Sequence, residues 1–357
     1  MSGKLVSFAA ATMCALALSA CTAPAPTEVG GSSEAAVSNT PSETTATQAT
    51  SEPAKVAKDE PTKVMSCDQE LTFEKAPERI VTLADDSISF LWELGLHDKV
   101  VGMGKAPNPE VYKPDVLEAL NQVPIIEGSK TEGGGAVLST ESILALDPDL
   151  VIGYDSGADR EGLNKAGVPF YSPEAWCITK GSNIPDDVEP ASFDLVEREV
   201  LSYGKIFHIE DKATELVKNL DNQIEAIKSQ SPDSRGTAMA VYINEGSDKF
   251  FAYGKTSMVQ PLFEAVGLTN VYGDRKERRI DGMSMEEILK RNPDNIVLLF
   301  NSGTGEGSKE TFKSIVGASN LDAVKNNKLY AMPFRFVDPP SPNTVNGLER
   351  LNELFGQ

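Results

Sequence analysis

A twelve-residue pattern occurs twice, about 145 residues apart, and it constrains the fold more than any other feature of the chain. The first copy reads Glu141-Ser-Ile-Leu-Ala-Leu-Asp-Pro148-Asp-Leu-Val-Ile and the second Glu286-Glu-Ile-Leu-Lys-Arg-Asn-Pro293-Asp-Asn-Ile-Val. In each, a Glu opens a two-turn helical stretch, a Pro seven residues later stops it, and an apolar run follows. Ser139 or Thr140 in one copy, and Ser284 in the other, are placed to cap the free amides, and the carboxylates stand at the positive end of the helix dipole. A helix feeding a buried strand, repeated in the two halves of a chain, predicts two α/β lobes.

The flanking patterns agree. Arg79-Ile80-Val81-Thr82-Leu83 reads as a strand, Phe90, Leu91, Leu94 and Leu96 as one helix face, and Val100-Val101 as the next strand. The same design returns at Ala238 to Ile243, Met258 to Val266 and Ile296 to Phe300. Between the halves, Ala213, Leu216, Val217, Leu220, Ile224 and Ile227 recur at helical spacing among charged residues, predicting one helix of about twenty residues and about 30 Å. The expected fold is therefore α/β: two Rossmann-like lobes, residues 65–208 and 231–357, joined by a single long interdomain helix, 209–230, with a ligand cleft between them.

Upstream, Lys4 precedes an apolar run from Leu5 to Leu18, a signal peptide over 1–20 rather than a membrane span. Its end, Leu18-Ser19-Ala20-Cys21, resembles the lipobox of bacterial lipoproteins, which implies a lipid on Cys21; the other reading is ordinary cleavage nearby with Cys21 unmodified. Residues 22–64 lack Leu, Ile and every aromatic, so the stretch 21–64 is expected to be the anchor and a disordered tether. Cys14 leaves with the signal peptide, so Cys67 and Cys177 remain as a pair in an oxidising setting. A disulfide between them would close a loop of about 110 residues and contribute about 3 to 5 kcal/mol; two separate buried thiols are the alternative. The formal net charge of -20 argues against nucleic acid, and an anionic ligand would require a local basic cluster.

Taken in order, Pro77 to Leu83, Glu93-Leu94-Gly95-Leu96, Val100-Val101-Gly102, the two Glu-to-Pro repeats, Gly204-Lys205-Ile206-Phe207 and Gly267-Leu268-Thr269-Asn270-Val271 resemble the class III periplasmic binding proteins, the siderophore and vitamin B12 type. The resemblance covers 67–357. It implies a monomeric, extracytoplasmic solute-binding protein, held to the outer face of the membrane by its lipid, that passes a ferric siderophore to an ABC permease. Haem or cobalamin is the alternative cargo. It also implies that Glu141 and Glu286, one on each lobe, dock on permease arginines. Glu287 is set aside because only Glu286 repeats the spacing from Glu141 to Pro148.

In doubly wound sheets the ligand lies beyond the carboxyl ends of the strands. The loops there contain Arg278, Arg279 and Arg335 as charge donors and Trp176 and Tyr253 as aromatic walls, a mixture suited to a bulky anionic chelate. A solvated 275–279 loop, and a Trp176 that merely packs beside Cys177, are the plain alternatives. Only His97 and His208 exist, both outside the expected cleft, which excludes a receptor with several imidazole ligands; haem would need a tyrosine such as Tyr154, Tyr242 or Tyr253. No resident cofactor or metal is expected. Asp85, Asp86 and Asp155 are the acids an enzyme would use, but no nucleophile motif or nearby His accompanies them, and adjacent residues of an extended segment point apart.

Overall fold

The computed structural model describes residues 61–130, 136–177 and 187–356; the expected signal peptide, Cys21 and the expected tether up to residue 60 lie outside it. The folded part begins earlier than the expected tether end at 64. Thr62–Ser66 pairs antiparallel with Gln69–Phe73, because alternation along both strands buries Val64, Leu71 and Phe73 on one face. Cys67 sits in the turn with φ 57 and is disulfide-bonded to Cys177.

The amino-terminal lobe is built on four parallel strands in the order Val100–Met103, Ile80–Thr82, Leu150–Ile152, Phe170–Tyr171. Ile80, Val81, Leu150, Val151 and Ile152 are fully buried, as expected of strands covered on both faces. The carboxyl-terminal lobe differs in topology from the simple repetition expected. Thr237–Tyr242, Asn295–Phe300 and Leu329–Pro333 run parallel, but Phe251–Tyr253 returns antiparallel beside Thr237–Tyr242 and carries Arg279–Ile280 on its outer edge. The short connection Ile243 to Phe250 permits a hairpin and is too short for a helical crossover.

The helix Glu210–Gln230 joins the two sheets and buries Ala213, Leu216, Leu220 and Ile224, the stripe expected from their spacing. It packs on Asp194–Ile206 and on the last helix, Pro342–Phe355, which also touches the amino-terminal lobe's first helix, Asp86–Glu93. One buried cluster consequently runs from Ile80 and Leu150 through the joining helix to Ala240 and Leu299. No helix among the described residues is long and apolar enough to cross a membrane.

Candidate functional site

The segments leaving the strands Leu150–Ile152, Phe170–Tyr171 and Leu329–Pro333, together with the ends of Thr237–Tyr242 and Phe251–Tyr253, line a cavity of about 300 Å³. Tyr154, Ser156 and Trp176 line it from the amino-terminal lobe. Tyr242, Phe251, Tyr253, Arg278, Arg279, Phe334, Arg335 and Asp338 line it from the other. All five residues expected in the cleft, Trp176, Tyr253, Arg278, Arg279 and Arg335, are thus brought together.

Their chemistry differs from the expectation of three available cations. Arg335 is 4% exposed, and its Nε donates to Asp85 Oδ1 at 2.7 Å across the two lobes. Arg278 donates to both carboxylate oxygens of Asp338, Nε to Oδ1 at 3.2 Å, while its guanidinium lies 4.9 Å from the Trp176 ring centroid. Only Arg279 stands at the rim, half exposed, stacked 3.9 Å from Phe251 and paired with Asp281. Arg275 turns away from the cavity to Glu277 and Glu287. Two buried guanidiniums are therefore already neutralised, because an unpaired charge at such depth costs several kcal/mol.

Aromatic faces provide the rest of the wall. Tyr242 stacks on Phe251 at 4.6 Å, Phe334 meets Tyr242 edge-on at 5.3 Å, and Trp176 lies 5.6 Å from Tyr154. Burial and the nearby Asp338 charge push the Tyr253 hydroxyl well above the ordinary phenol range. Tyr154 donates its hydroxyl to the Ala136 carbonyl.

Asp85 and Asp86 correct an earlier expectation. They occupy the N-cap and first position of the helix Asp86–Glu93, not an extended segment, and both engage cleft residues: Asp85 holds Arg335, and Asp86 Oδ2 accepts the Trp176 indole N–H at 3.1 Å. Asp338 was missed in the sequence because Asp338-Pro339-Pro340-Ser341-Pro342 reads as a turn. An acid three residues after Arg335 was the available signal. Asp155 opens a short 3-10 turn. His97 packs on Trp92 and His208 lies beside Thr62, so neither imidazole reaches the cavity.

Away from the cleft, Glu141 and Glu286 occupy the same position, two residues after capping serines. Ser139 Oγ accepts from the Ser142 amide and Ser284 Oγ from the Glu287 amide. Both glutamates are exposed and make no ion pair among the described residues, whereas Glu287 lies 3.6 Å from Arg275. Their spacing relative to the two caps matches that of the repeat.

A family model described as "Periplasmic binding protein" matches residues 80–336. An uncharacterised ABC transporter substrate-binding lipoprotein of Bacillus subtilis is 25% identical over 293 residues, 80% of this chain and 82% of that one. A cobalamin-binding protein of Halobacterium salinarum is 23% identical over 80% of this chain and 71% of its own. A solved structure described as an ABC-type Fe3+-hydroxamate transport system from Saccharomonospora viridis is 33% identical. It superposes with TM-score 0.75, covering 83% of this chain and 99% of that one.

Proposed function

This chain belongs to the periplasmic binding protein family, and on that premise we propose that its cargo is a ferric siderophore of the hydroxamate kind, whose iron chelate itself carries no net charge. It is a solute-binding component of an ABC importer of the siderophore, vitamin B12 or haem type, and not an enzyme. The observation that carries the finer reading is the neutralised cleft: aromatic faces surround two guanidiniums whose charges are answered by Asp85 and Asp338. Three hydroxamates cancel the charge of one ferric ion, so such a chelate brings no net charge into that wall. A ferric tris-catecholate carries three negative charges and would face both carboxylates. This revises the anionic chelate expected from the sequence. The 33% identical solved structure, described as Fe3+-hydroxamate transport, supports the same class. Haem is disfavoured at Tyr253, whose buried hydroxyl holds its proton tightly, and at Tyr154, whose hydroxyl is committed to the Ala136 carbonyl.

The chain's two tryptophans, Trp92 and Trp176, report binding. Titrating the soluble part with a ferric trihydroxamate, a ferric tris-catecholate, haem and cobalamin should give the tightest quenching with the trihydroxamate, lost in Trp176→Phe. Tighter binding of any of the other three overturns the ligand class. In the same reading the lipobox places a lipid on Cys21, from which the chain docks on an ABC permease. Cys21→Ala should abolish fatty-acid labelling and release the protein to the medium, and labelling that survives refutes the anchor.

A further inference from the structure

The layer at and just behind the cleft floor holds more buried carboxylate than buried guanidinium, with Asp338 in the cavity lining and Asp85 and Asp86 behind it. Asp85, Asp86 and Asp338 are 0%, 4% and 2% exposed, against Arg335 at 4% and the Arg278 side chain at 13%. Arg335 is paired with Asp85 and Arg278 with Asp338, which leaves Asp86 without an ion pair of its own among the described residues, the Arg335 guanidinium being a charge it shares with Asp85. Its Oδ2 accepts the Trp176 indole, and its Oδ1 meets no donor among the described residues. Asp85 Oδ2 is likewise unpartnered, and Asp85 makes no capping bond to the helix it precedes. Buried carboxylate oxygens without donors are costly, so natural proteins rarely retain them outside a site of use.

Asp85 and Asp86 do not line the cavity themselves but lie directly behind two residues that do. Trp176, which bonds Asp86, and Arg335, which bonds Asp85, both line the cavity, as does Asp338. Burial pushes the Asp338 carboxyl upward and the Asp86 charge adds to it, against the pull of Arg278 and Arg335. An ammonium group has three donors and no acceptor, which matches acceptor-only oxygens, whereas a neutral amide would leave the surplus charge in place.

We infer that the floor is a subsite for a cationic arm of the cargo, a terminal primary ammonium received by Asp86 Oδ1 with Asp85 Oδ2 as a second acceptor. The inference rests on the hydroxamate reading and narrows it: linear hydroxamates ending in an amine are preferred over cyclic or acylated ones. The iron chelate packs against the aromatic wall while the arm supplies the missing charge below Trp176.

The test compares the ferric complex of desferrioxamine B, which keeps a terminal ammonium, with that of its N-acetylated form, by titration calorimetry on the soluble protein at pH 7. The ammonium form should bind about tenfold tighter or more, as a charge-assisted bond in a buried setting requires. In Asp86→Asn, whose amide oxygen still accepts the indole N–H, the ratio should fall to near one. Equal affinity of the two complexes for the unmodified protein overturns the subsite and leaves the hydroxamate reading standing. Binding of neither overturns both. Because the acetylation comparison uses the natural chain, it decides the matter even where the variant folds poorly.

Discussion

Glu199 is 3% exposed inside the wall of the amino-terminal lobe, where its Oε1 accepts the Tyr171 hydroxyl at 2.6 Å and its Oε2 the Glu174 amide at 3.1 Å. Burial is the largest influence on it and pushes its pKa up to about 7, against the downward pull of those two bonds. The folded protein therefore holds this proton between the ordinary carboxylate range and about pH 7, while the unfolded chain has already released it. The stability this group contributes is full below the unfolded pKa and is lost as pH rises through the folded one, a total of roughly 3 kcal/mol. Urea unfolding of the natural chain and of Glu199→Gln should show the difference in stability shifting in favour of the glutamine variant between pH 5 and pH 8. A difference that stays constant over that range would mean that Glu199 is ionised throughout. The same residue scale explains which part of the cleft was legible. Trp176, Tyr253 and the three arginines are conspicuous as residue types near strand ends, but the acids that consume the charge of Arg335 and Arg278 lie 250 and 60 positions away. No local pattern pairs residues at such separations, so the cations were legible and their neutralisation was not.

At the scale of elements, the legible parts are those where one run of residues decides its own conformation. Leu150–Ile152 matches the expected strand, and the joining helix starts at Glu210 against an expected 209. The antiparallel return of Phe251–Tyr253 was not legible, because a short apolar run carries no direction. Nor was the part played by the hairpin Thr62–Phe73, which braces the segment carrying Trp176. Cys67 is bonded to Cys177, the neighbour of Trp176, and Ser66 Oγ accepts the Ser172 amide at 2.8 Å. Arg160 adds a bond to Ser66 Oγ at 2.7 Å. The double variant Cys67→Ser, Cys177→Ser opens a loop of 110 residues, which should cost about 2 to 5 kcal/mol in denaturant unfolding. Because the brace ends at the cleft wall, ligand affinity should fall as well at temperatures where the variant is fully folded. Unchanged stability together with unchanged affinity would make the bridge ornamental.

At the scale of the whole molecule, the two lobes each expose one glutamate at an equivalent helix start, and the exposure of Glu141 and Glu286 contrasts with the engagement of Glu287 by Arg275. We propose that these two carboxylates are the posts by which an ABC permease grips one lobe each and senses their separation. Neither glutamate lines the cavity, and the helix starts are already capped by Ser139 and Ser284, so neither residue is needed for ligand or for the cap. Replacing both by Ala removes a favourable interaction with each helix dipole, at most about 1 kcal/mol in each helix. Ligand affinity should stay within twofold of the natural chain, and the melting temperature should move little. Uptake of iron by cells that depend on this protein should nevertheless fall sharply, since the loaded receptor would lose its electrostatic registration on the importer. The control is Glu287→Ala, which disturbs the Arg275 contact on the same helix and should leave uptake largely intact. Normal uptake by the double variant would reduce Glu141 and Glu286 to carboxylates that merely stabilise the ends of two short helices.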